Sequence, residues 1–502
     1  MKGMLIMLKE LQDKANKTYT ENGALTYKST ESACLDLFAS IGALRNARSE
    51  QIINRFIRAY AENKLMAMKI LFFARDIRKG LGERRIFRVI YKYLLCTGLP
   101  SGVKNLHLIP EYGRFDDLIS LLPVAKADVT RLIRKKWDED IVCLSEGKPV
   151  SLLAKWLPSV NASSNETRKL AHMVARALNL TPAEYRKALS MLRKHIGIIE
   201  NYLRERNYTF DYSKQPSKAM LKYRDCFYSN DEERYTAFLD SVRKGKAKIN
   251  TGTLYPYEII EPIIKVAYGQ FAFCPSSQIE PLSNEIVQSL TTTWQALPDY
   301  TRGENALVVV DGSGSMYNGH PMAISVALSL GLYYAERNKG HFAGHFITFS
   351  KTPQLVRVTG DTLQERVMHA ISYNECVNTN ISAVFKLILD AAVENNVPQE
   401  EMPQRIYIIS DMEFDACAEG ADITNFEYAK KMFAEAGYHL PQVVFWNVQS
   451  RKVGQPVRMN DRGVVLISGA SPVVFSMAMD DIDPYEAMLK IINTQRYESI
   501  RE

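Results

Sequence analysis

Helical periodicity dominates the first part of the chain. Between about residues 32 and 206, apolar side chains recur every three or four positions, as they do on the buried face of an amphipathic helix. Thr181, followed by Pro182 and then Glu184, has the spacing of a capping box with proline at the first helical position. Short turns join these helices, so the pattern predicts an α-helical repeat arranged as a solenoid or a ring.

The pattern changes near residues 299–304. From residue 305 onward, short apolar runs alternate with helical stretches, and strands are predicted near residues 306–310, 343–349, 405–410, 442–447 and 464–468. Continuous apolar runs of this length are typical of parallel strands that are covered on both faces. The predicted fold class is therefore two-part, α plus α/β. A helical-repeat domain occupies residues 1–300, and a doubly wound, Rossmann-like domain occupies residues 303–502.

Oxygen-bearing side chains follow the predicted strands at the points where they end. Asp311 comes directly after one strand, Ser313 and Ser315 follow at alternate positions, Thr379 precedes a helix-like run, and Asp411 ends another strand. Open α/β sheets bind ligands at the carboxyl ends of their strands, and hard oxygen donors suit Mg²⁺, Ca²⁺ or Mn²⁺. The sequence therefore predicts a divalent-cation site. The alternative is a capped strand end whose side chains only satisfy loop amides.

An Asp-x-Ser-x-Ser loop, a separate threonine and a later aspartate, in this order, resemble the von Willebrand factor A domain. In that family these positions form the metal-ion-dependent adhesion site, and the resemblance implies Asp311, Ser313, Ser315, Thr379 and Asp411 as ligands. Two carboxylates and three neutral hydroxyls leave part of the octahedral shell of Mg²⁺ open. The site implied here takes a carboxylate or phosphate in trans and is not a catalytic centre.

The composition is ordinary for a globular chain of 502 residues, with 46% hydrophobic and 24% charged residues. The seven cysteines are dispersed and form no CxxC pair, which indicates reduced core thiols in a cytosolic protein and argues against zinc. The first ten residues lack the features of a secretion signal, and the most apolar helix, residues 322–334, is too short to span a bilayer. We therefore expect a cytoplasmic protein without a membrane anchor.

The net charge is +7, but the two parts of the chain differ in the sign of their charge. Residues 1–300 carry 46 Lys and Arg against 32 Asp and Glu, a net of +14, and the remainder carries 17 against 24, a net of −7. Such an asymmetry between halves indicates nucleic-acid binding by the basic part. Helix surfaces that are simply rich in Lys and Arg are the alternative.

The cations predicted to contact RNA lie in four stretches of the basic half. They are Arg75, Arg78, Lys79, Arg84, Arg85, Arg88, Arg114, Lys135, Lys136, Lys244, Lys246 and Lys248. Some of these arginines begin a predicted helix, where the macrodipole disfavours cations. Either RNA phosphates or buried acids such as Asp76 and Asp116 must therefore favour them. Asp116 also fits a helix cap, and Trp137 and Trp156, each beside lysine, can stack on bases or belong to the core.

Residues from about 20 to 260 resemble an uncharacterised family, found in plants, fungi, bacteria and large viruses, that precedes a von Willebrand A domain. The motifs that carry this resemblance are Glu21-Asn-Gly-Ala24, Leu35-Asp-Leu-Phe38, Arg75-Asp-Ile-Arg78 with Gly82-Glu-Arg-Arg85, Ile109-Pro-Glu-Tyr-Gly-Arg-Phe-Asp-Asp-Leu118, Lys155-Trp-Leu-Pro158 and Tyr185-Arg-Lys-Ala-Leu189. The architecture is also similar to that of the Ro autoantigens, whose TROVE domain is a ring of helical repeats closed by a von Willebrand A domain. Ro proteins bind small structured non-coding RNAs and handle misfolded RNA ends, so the resemblance implies RNA binding by analogy.

Three functions follow as hypotheses. The favoured one is a non-catalytic, Ro-like protein that binds structured small RNA through its basic helices and holds Mg²⁺ (or Ca²⁺ or Mn²⁺) for an acidic ligand. The second is a protein-interaction scaffold whose metal site binds a partner carboxylate without RNA. The third, a metal-dependent hydrolase, is disfavoured because no histidine is paired with a nucleophile in a motif; Glu413 and Asp415 would be its acids. We expect a monomer.

Overall fold

The computed structural model describes residues 2–271, 282–301, 303–350, 352–374, 378–416, 422–452, 454–477 and 482–502. Its first half is helical apart from one hairpin, in which β1 (Lys17–Tyr19) and β2 (Leu25–Tyr27) pair antiparallel. The helices of this half are α1 (Lys2–Asn16), α2 (Ala33–Ile41), α3 (Ser49–Glu62), α4 (Lys64–Arg75), α5 (Arg84–Cys96), α6 (Pro100–Lys104), α7 (Ile109–Tyr112), α8 (Phe115–Ile119), α9 (Lys126–Ser145), α10 (Leu153–Trp156), α11 (Asn165–Ala177), α12 (Pro182–Ile196), α13 (Ile199–Arg204) and α14 (Ser217–Arg243).

The second half begins with two helices, and strands and helices then alternate. In chain order its elements are α15 (Pro256–Phe271), α16 (Asn284–Gln295), β3 (Ala306–Val310), α17 (Ala323–Arg337), β4 (His345–Thr348), β5 (Leu355–Arg357), α18 (Leu363–Ile371), α19 (Ile381–Glu394), β6 (Arg405–Ser410), α20 (Asn425–Glu435), β7 (Gln442–Asn447), β8 (Val464–Ser468) and α21 (Pro484–Ile492). Thr181 caps α12 through the predicted capping box with Glu184.

Six of the strands form one mixed sheet in the order β5-β4-β3-β6-β7-β8. β5 runs antiparallel to β4, and the other neighbours are parallel. Every residue of β3, β6 and β8 is buried, which explains why these strands are apolar runs rather than alternating ones. The five predicted strands are therefore present, and β5, only three residues long, is an addition.

The chain folds into two compact units. One, the sheet unit, comprises Met1–Ile70 and Thr251–Arg496; the other, the helical unit, comprises Leu71–Asn250 and Tyr497–Glu502. This division differs from the predicted one at residues 300–303, because the flanking segments 1–70 and 251–300 pack with the sheet. Arrangement of the helical unit as a repeat, solenoid or ring stays a prediction.

The association of α2 with β8 shows why the N-terminal segment belongs to the sheet unit. The Ser468 hydroxyl at the end of β8 accepts a hydrogen bond from Gly42 N at 2.9 Å and donates to Phe38 O at 3.2 Å. A Cβ on Gly42 would lie 2.6 Å from the backbone nitrogen of Gly469, so only glycine allows the two backbones to approach this closely.

The helical unit has an aromatic core of its own. Phe72 packs edge-on against Phe87, Tyr91 and Tyr112, and Tyr112 stacks on Tyr497 with the ring centroids 5.8 Å apart. Each aromatic side chain removes a large apolar area from water, so a few of them are enough to stabilise this core. The last six residues of the chain thereby complete the core of this unit.

Of the cysteines, Cys34, Cys96, Cys143 and Cys226 carry free thiols, while Cys274, Cys376 and Cys417 lie outside the described residues. Cys34 is buried as predicted for a core thiol, whereas Cys96 is exposed, because it is the last residue of α5 and lies on its solvent side. No helix in the described part of the chain combines the length and the apolarity that a membrane span requires.

Candidate functional site

Asp311 lies at the carboxyl end of the central strand β3, where its side chain is fully buried. Its Oδ1 accepts a hydrogen bond from Ser313 N at 2.9 Å, and its Oδ2 accepts one from the Ser410 hydroxyl at 2.6 Å. The first bond closes the loop that follows β3, and the second joins it to the end of the neighbouring strand β6. The sheet therefore fixes this carboxylate in place.

Three further predicted ligands are connected to Asp311 by a series of hydrogen bonds. The Ser313 and Ser315 hydroxyl oxygens are 3.0 Å apart, and the Ser315 hydroxyl donates to Asp411 Oδ2 at 2.9 Å. Asp411 follows β6, the strand that pairs with β3, so both carboxylates come to the same edge of the sheet. Four of the five predicted ligands are thus brought together.

The charged form of the Asp311 carboxylate is disfavoured where it lies. Burial, with the neighbouring charge of Asp411, raises the pKa of Asp311 to about 6. Burial likewise raises the pKa of Glu413, two residues further along. Negative charges held this close in a buried place favour a positive ion between them.

The donor set suits a hard divalent cation. Two carboxylates and two hydroxyls supply only oxygen atoms, the ligands that Mg²⁺, Ca²⁺ and Mn²⁺ prefer. No group of three or more His, Cys, Asp and Glu side chains that could hold a metal ion occurs among the described residues, so an ion here would depend on the two carboxylates together with the serine hydroxyls. The residues present fit Mg²⁺, with positions left open for another oxygen ligand.

Thr379, the fifth predicted ligand, has a different set of partners. Its hydroxyl lies 2.9 Å from Glu413 O and 3.0 Å from Asp415 Oδ1, and Asn22 Nδ2 donates to it at 2.9 Å. It is connected to the other four residues through the segment that follows Asp411, because Glu413 N donates to Asp411 Oδ1 at 3.2 Å. Direct ligation by Thr379 stays a prediction.

The turn after Asp411 has an unusual backbone. Met412 has a φ of 69°, in the left-handed region that side chains other than glycine seldom adopt. Met412 N donates to the Ser410 hydroxyl at 3.0 Å, which holds the turn. A residue kept in this conformation costs about 1–3 kcal/mol, which the surrounding contacts must offset. The residues on either side of it, Asp411 and Glu413, are joined by the bond from Glu413 N to Asp411 Oδ1.

Sequence reasoning missed two charged residues of the site. Arg451 forms ion pairs with Asp411 Oδ2 at 3.0 Å and with Glu21 Oε2 at 2.7 Å. Glu21 belongs to the turn between β1 and β2, which contacts the segment 413–415 of the sheet unit. The only signal in the sequence was the motif that begins at Glu21, which the resemblance used without assigning it a role.

A cavity of about 210 Å³ opens beside the two acids of this turn. Its lining combines the β1–β2 hairpin with the carboxyl edge of the sheet, through Thr18, Tyr19, Thr20, Lys28, Asp411, Met412, Glu413, Asn447, Lys452 and Gly454. A cavity of this size and lining has room for a small polar group next to the cation site.

The basic motif of the helical unit forms a buried ion-pair network. Asp117 is fully buried and accepts hydrogen bonds from Arg75 Nε at 2.8 Å, from Arg88 Nε at 2.7 Å and from Arg114 N at 3.1 Å. Arg88 also pairs with Asp116 at 2.7 Å. A Cβ on Gly113 would lie 2.6 Å from the Asp117 carboxylate, so glycine is required there.

This network corrects part of the RNA-contact prediction. Arg75 is wrong as an RNA contact, because its guanidinium is buried against Asp117 and cannot reach a phosphate. Arg88 is held by two carboxylates, Arg114 lies over the Trp156 ring at 4.7 Å, and Lys136 pairs with Glu139 at 2.9 Å. All of these groups have partners within the helical unit. The salt-bridge alternative predicted Asp116 as such a partner, and the structure pairs it with Arg88, whereas Asp117 was not foreseen.

The remaining candidate cations are exposed to solvent. They are Arg78, Lys79, Arg84, Arg85, Lys135, Lys244, Lys246 and Lys248. Arg84 is half exposed although it pairs with Asp116 at 3.4 Å. Lys244, Lys246 and Lys248 lie together on the loop that follows α14. Trp137 is buried, whereas Trp156 is partly exposed.

Comparison with known proteins identifies the family. A model described as a domain of unknown function (DUF2828) matches residues 20–125 and 125–300, which is more than half of the chain. This chain belongs to the DUF2828 family. The DUF2828 match includes Glu21 and all the candidate cations, and a second model, also a domain of unknown function (DUF7788), matches residues 305–499. That second match includes the cation-site residues and Arg451.

The DUF2828 chain also has a curated relative and a similar solved structure. An uncharacterized protein of Acanthamoeba polyphaga mimivirus is 31% identical over 523 residues, which cover 95% of this chain and 87% of the viral protein. The Ro (RSR) protein of Deinococcus radiodurans matches with a TM-score of 0.38 and 13% identity, over 91% of this chain and 92% of that chain. A likeness at this TM-score carries no conclusion about what the chain does.

Proposed function

We propose that this DUF2828 chain is a non-catalytic RNA-binding protein. Its helical unit binds structured RNA. Its sheet unit holds a divalent cation, with Mg²⁺ the favoured ion, and this cation binds an acidic ligand. The RNA part rests on how charge is distributed between the two units, and the cation part rests on the cluster at the ends of β3 and β6.

The concentration of positive charge in one segment carries the RNA proposal. Residues 71–250, which form nearly all of the helical unit, contain 34 Lys and Arg against 20 Asp and Glu, a net of +14. All other residues together carry 29 against 36, a net of −7. A segment with such an excess attracts a polyanion and releases its condensed counterions on binding.

The exposed cations and one aromatic side chain supply suitable contacts. Lys244, Lys246 and Lys248 are exposed within five residues, so one loop presents three charges to a phosphate backbone. Trp156, with Arg114 over its ring, gives a partly exposed platform on which an unpaired base can stack. Phosphate contacts of this kind fix a structured RNA in place, and stacking favours its unpaired positions.

The loop lysines provide the test. We expect Lys244→Gln, Lys246→Gln and Lys248→Gln together to weaken binding of a fluorescent RNA stem-loop roughly tenfold or more at moderate salt, and to lower the slope of log K against log salt by about 2–3, since each phosphate contact contributes about one. Fluorescence anisotropy measures both quantities.

The matched control removes three exposed lysines from the sheet unit, as Lys339→Gln, Lys386→Gln and Lys431→Gln. It changes the net charge equally, and it should leave the RNA affinity and the salt slope near the wild-type values. If the two triple variants weaken RNA binding to the same degree, the loop is not a contact surface and only net charge matters.

The cation cluster favours a second candidate function. Asp311, Ser313, Ser315 and Asp411 would hold the ion, and its open positions would accept a carboxylate or phosphate oxygen. If RNA binding fails its test, the protein is better described as an interaction scaffold whose cation binds an acidic partner. When bound, the ion supplies a positive point charge for such a ligand, and no step of catalysis is assigned to it.

A further inference from the structure

The turn between β1 and β2 docks beside the cation site, on Thr379 and on the segment that follows Asp411, through several polar contacts. The Thr20 hydroxyl donates to Phe414 O at 2.6 Å, Glu21 N donates to Glu413 Oε2 at 2.6 Å, and Asn22 Nδ2 donates to Glu413 O at 2.7 Å. Asn22 also donates to the Thr379 hydroxyl. All of these contacts lie within the sheet unit. The turn is therefore held against the residues that follow Asp411.

Glu21 is joined to the cation cluster by a single guanidinium group. Arg451 reaches Glu21 Oε2 with Nη1 at 2.7 Å and Asp411 Oδ2 with Nη2 at 3.0 Å. The Asp411 side chain is 1% exposed, whereas those of Arg451 and Glu21 are 29% and 35% exposed. The arginine and the glutamate thus lie between the buried carboxylate and solvent.

The carboxylates of this arrangement outnumber the one guanidinium group that pairs with them. Asp311, Asp411, Glu413 and Glu21 bring four carboxylates together, and Arg451 forms ion pairs with two of them, Asp411 and Glu21. A divalent ion carries twice the charge of a guanidinium group and binds oxygen atoms directly at short distance. It is therefore a strong competitor of Arg451 for Asp411.

We propose that Glu21 is an internal ligand of this site: when the cation binds and displaces Arg451, the Glu21 carboxylate takes the position that an acidic partner would otherwise fill. This inference rests on the cation site proposed above. The ligand is a glutamate of the same chain, presented by a hairpin turn whose anchors at Thr20 and Asn22 do not involve its side chain.

Internal ligation controls access to the ion. A partner carboxylate reaches the cation only if it displaces Glu21, so acidic partners compete with a group that is tethered and always present. Tethering gives Glu21 an effective concentration in the millimolar range or above, and weak carboxylate ligands are excluded. Release of the hairpin opens the site.

Glu21→Gln tests the inference with Mn²⁺ as the probe, added to the full chain. The change removes the charge and keeps the size of the side chain. We expect the affinity for Mn²⁺ to fall roughly tenfold, as expected for loss of one carboxylate, and the bound ion to gain one water molecule. Titration calorimetry measures the affinity, and water-proton relaxation measures the number of bound waters.

Glu50→Gln is the matched control, since Glu50 is an exposed glutamate of α3 in the same unit. It should leave both quantities unchanged. Arg451→Gln should strengthen Mn²⁺ binding about threefold or more, because the competing cation is gone. Weaker binding in Arg451→Gln would overturn the displacement step, since the arginine would then support the site.

Two outcomes separate this inference from the cation site itself. If Asp311→Asn abolishes Mn²⁺ binding while Glu21→Gln keeps the wild-type affinity and water number, the cation site stands and Glu21 is only a structural ion-pair partner. If the wild-type chain does not bind Mn²⁺ at all, both proposals fail together. Circular dichroism of each variant confirms that the fold is retained.

Discussion

Asp117→Ala is expected to destabilise the helical unit by about 3–5 kcal/mol, the usual effect of removing one partner from a buried ion pair. The Asp117 carboxylate accepts hydrogen bonds from Arg75, Arg88 and the backbone of Arg114. Without it, the buried Arg75 guanidinium loses its carboxylate partner. The destabilisation is large because the positive charge of Arg75 would remain buried without a carboxylate.

Hydrogen exchange followed by mass spectrometry measures this effect unit by unit. Peptides from residues 71–250 should lose protection by roughly 100-fold or more, while peptides of the sheet unit keep theirs. Asp138→Ala removes an exposed aspartate of the same unit and serves as the control. Unchanged protection in Asp117→Ala would mean that the network contributes little to the stability of the fold.

Asp311→Asn is expected to weaken Mg²⁺ and Mn²⁺ binding by roughly 100-fold or more, about 2.7 kcal/mol or above. The change keeps the shape of the side chain and an acceptor for Ser313 N, and it removes a charge at the centre of the cluster. Without metal, the variant should be at least as stable as the wild type, because one buried charge next to Asp411 is neutralised.

Calorimetric titration with each ion measures the affinity, and thermal unfolding measures the linked stability. Mg²⁺ at about 100 times the wild-type dissociation constant should stabilise the wild-type sheet unit by about 2.7 kcal/mol and should stabilise Asp311→Asn by at most about 0.4 kcal/mol. Asp390→Asn, an exposed position of α19, is the control and should behave as the wild type. Equal binding by Asp311→Asn and the wild type would place any metal elsewhere.

The parts of the site that sequence could predict are those that local pattern encodes. The apolar runs of β3 and β6 predict buried strands, and an aspartate directly after each one must then lie at the same sheet edge. The serines follow on the same loop. For these residues, periodicity and chain order were sufficient.

The remaining parts depend on contacts between residues far apart in the chain. Glu21 and Glu413 are separated by 392 positions, and no periodicity links a hairpin turn to a strand end at that distance. Arg75 likewise looks like a helix-terminal surface cation until Asp117, 42 positions later, is seen to bury it. The unit boundary within α4 has the same origin, because tertiary packing and not helical periodicity decides which segments join the sheet.

The salt dependence of RNA binding tests the central claim most directly. Fluorescence anisotropy of the wild-type chain with a structured RNA stem-loop, between about 50 and 200 mM salt, should show tight binding at the low end and a loss of about 1,000-fold or more across the range, as expected for six or more phosphate contacts. A DNA stem-loop of the same sequence should bind more weakly, because it lacks the 2′-hydroxyl groups. Absence of binding at low salt, or an affinity that does not change with salt, would contradict the proposal that the helical unit binds RNA.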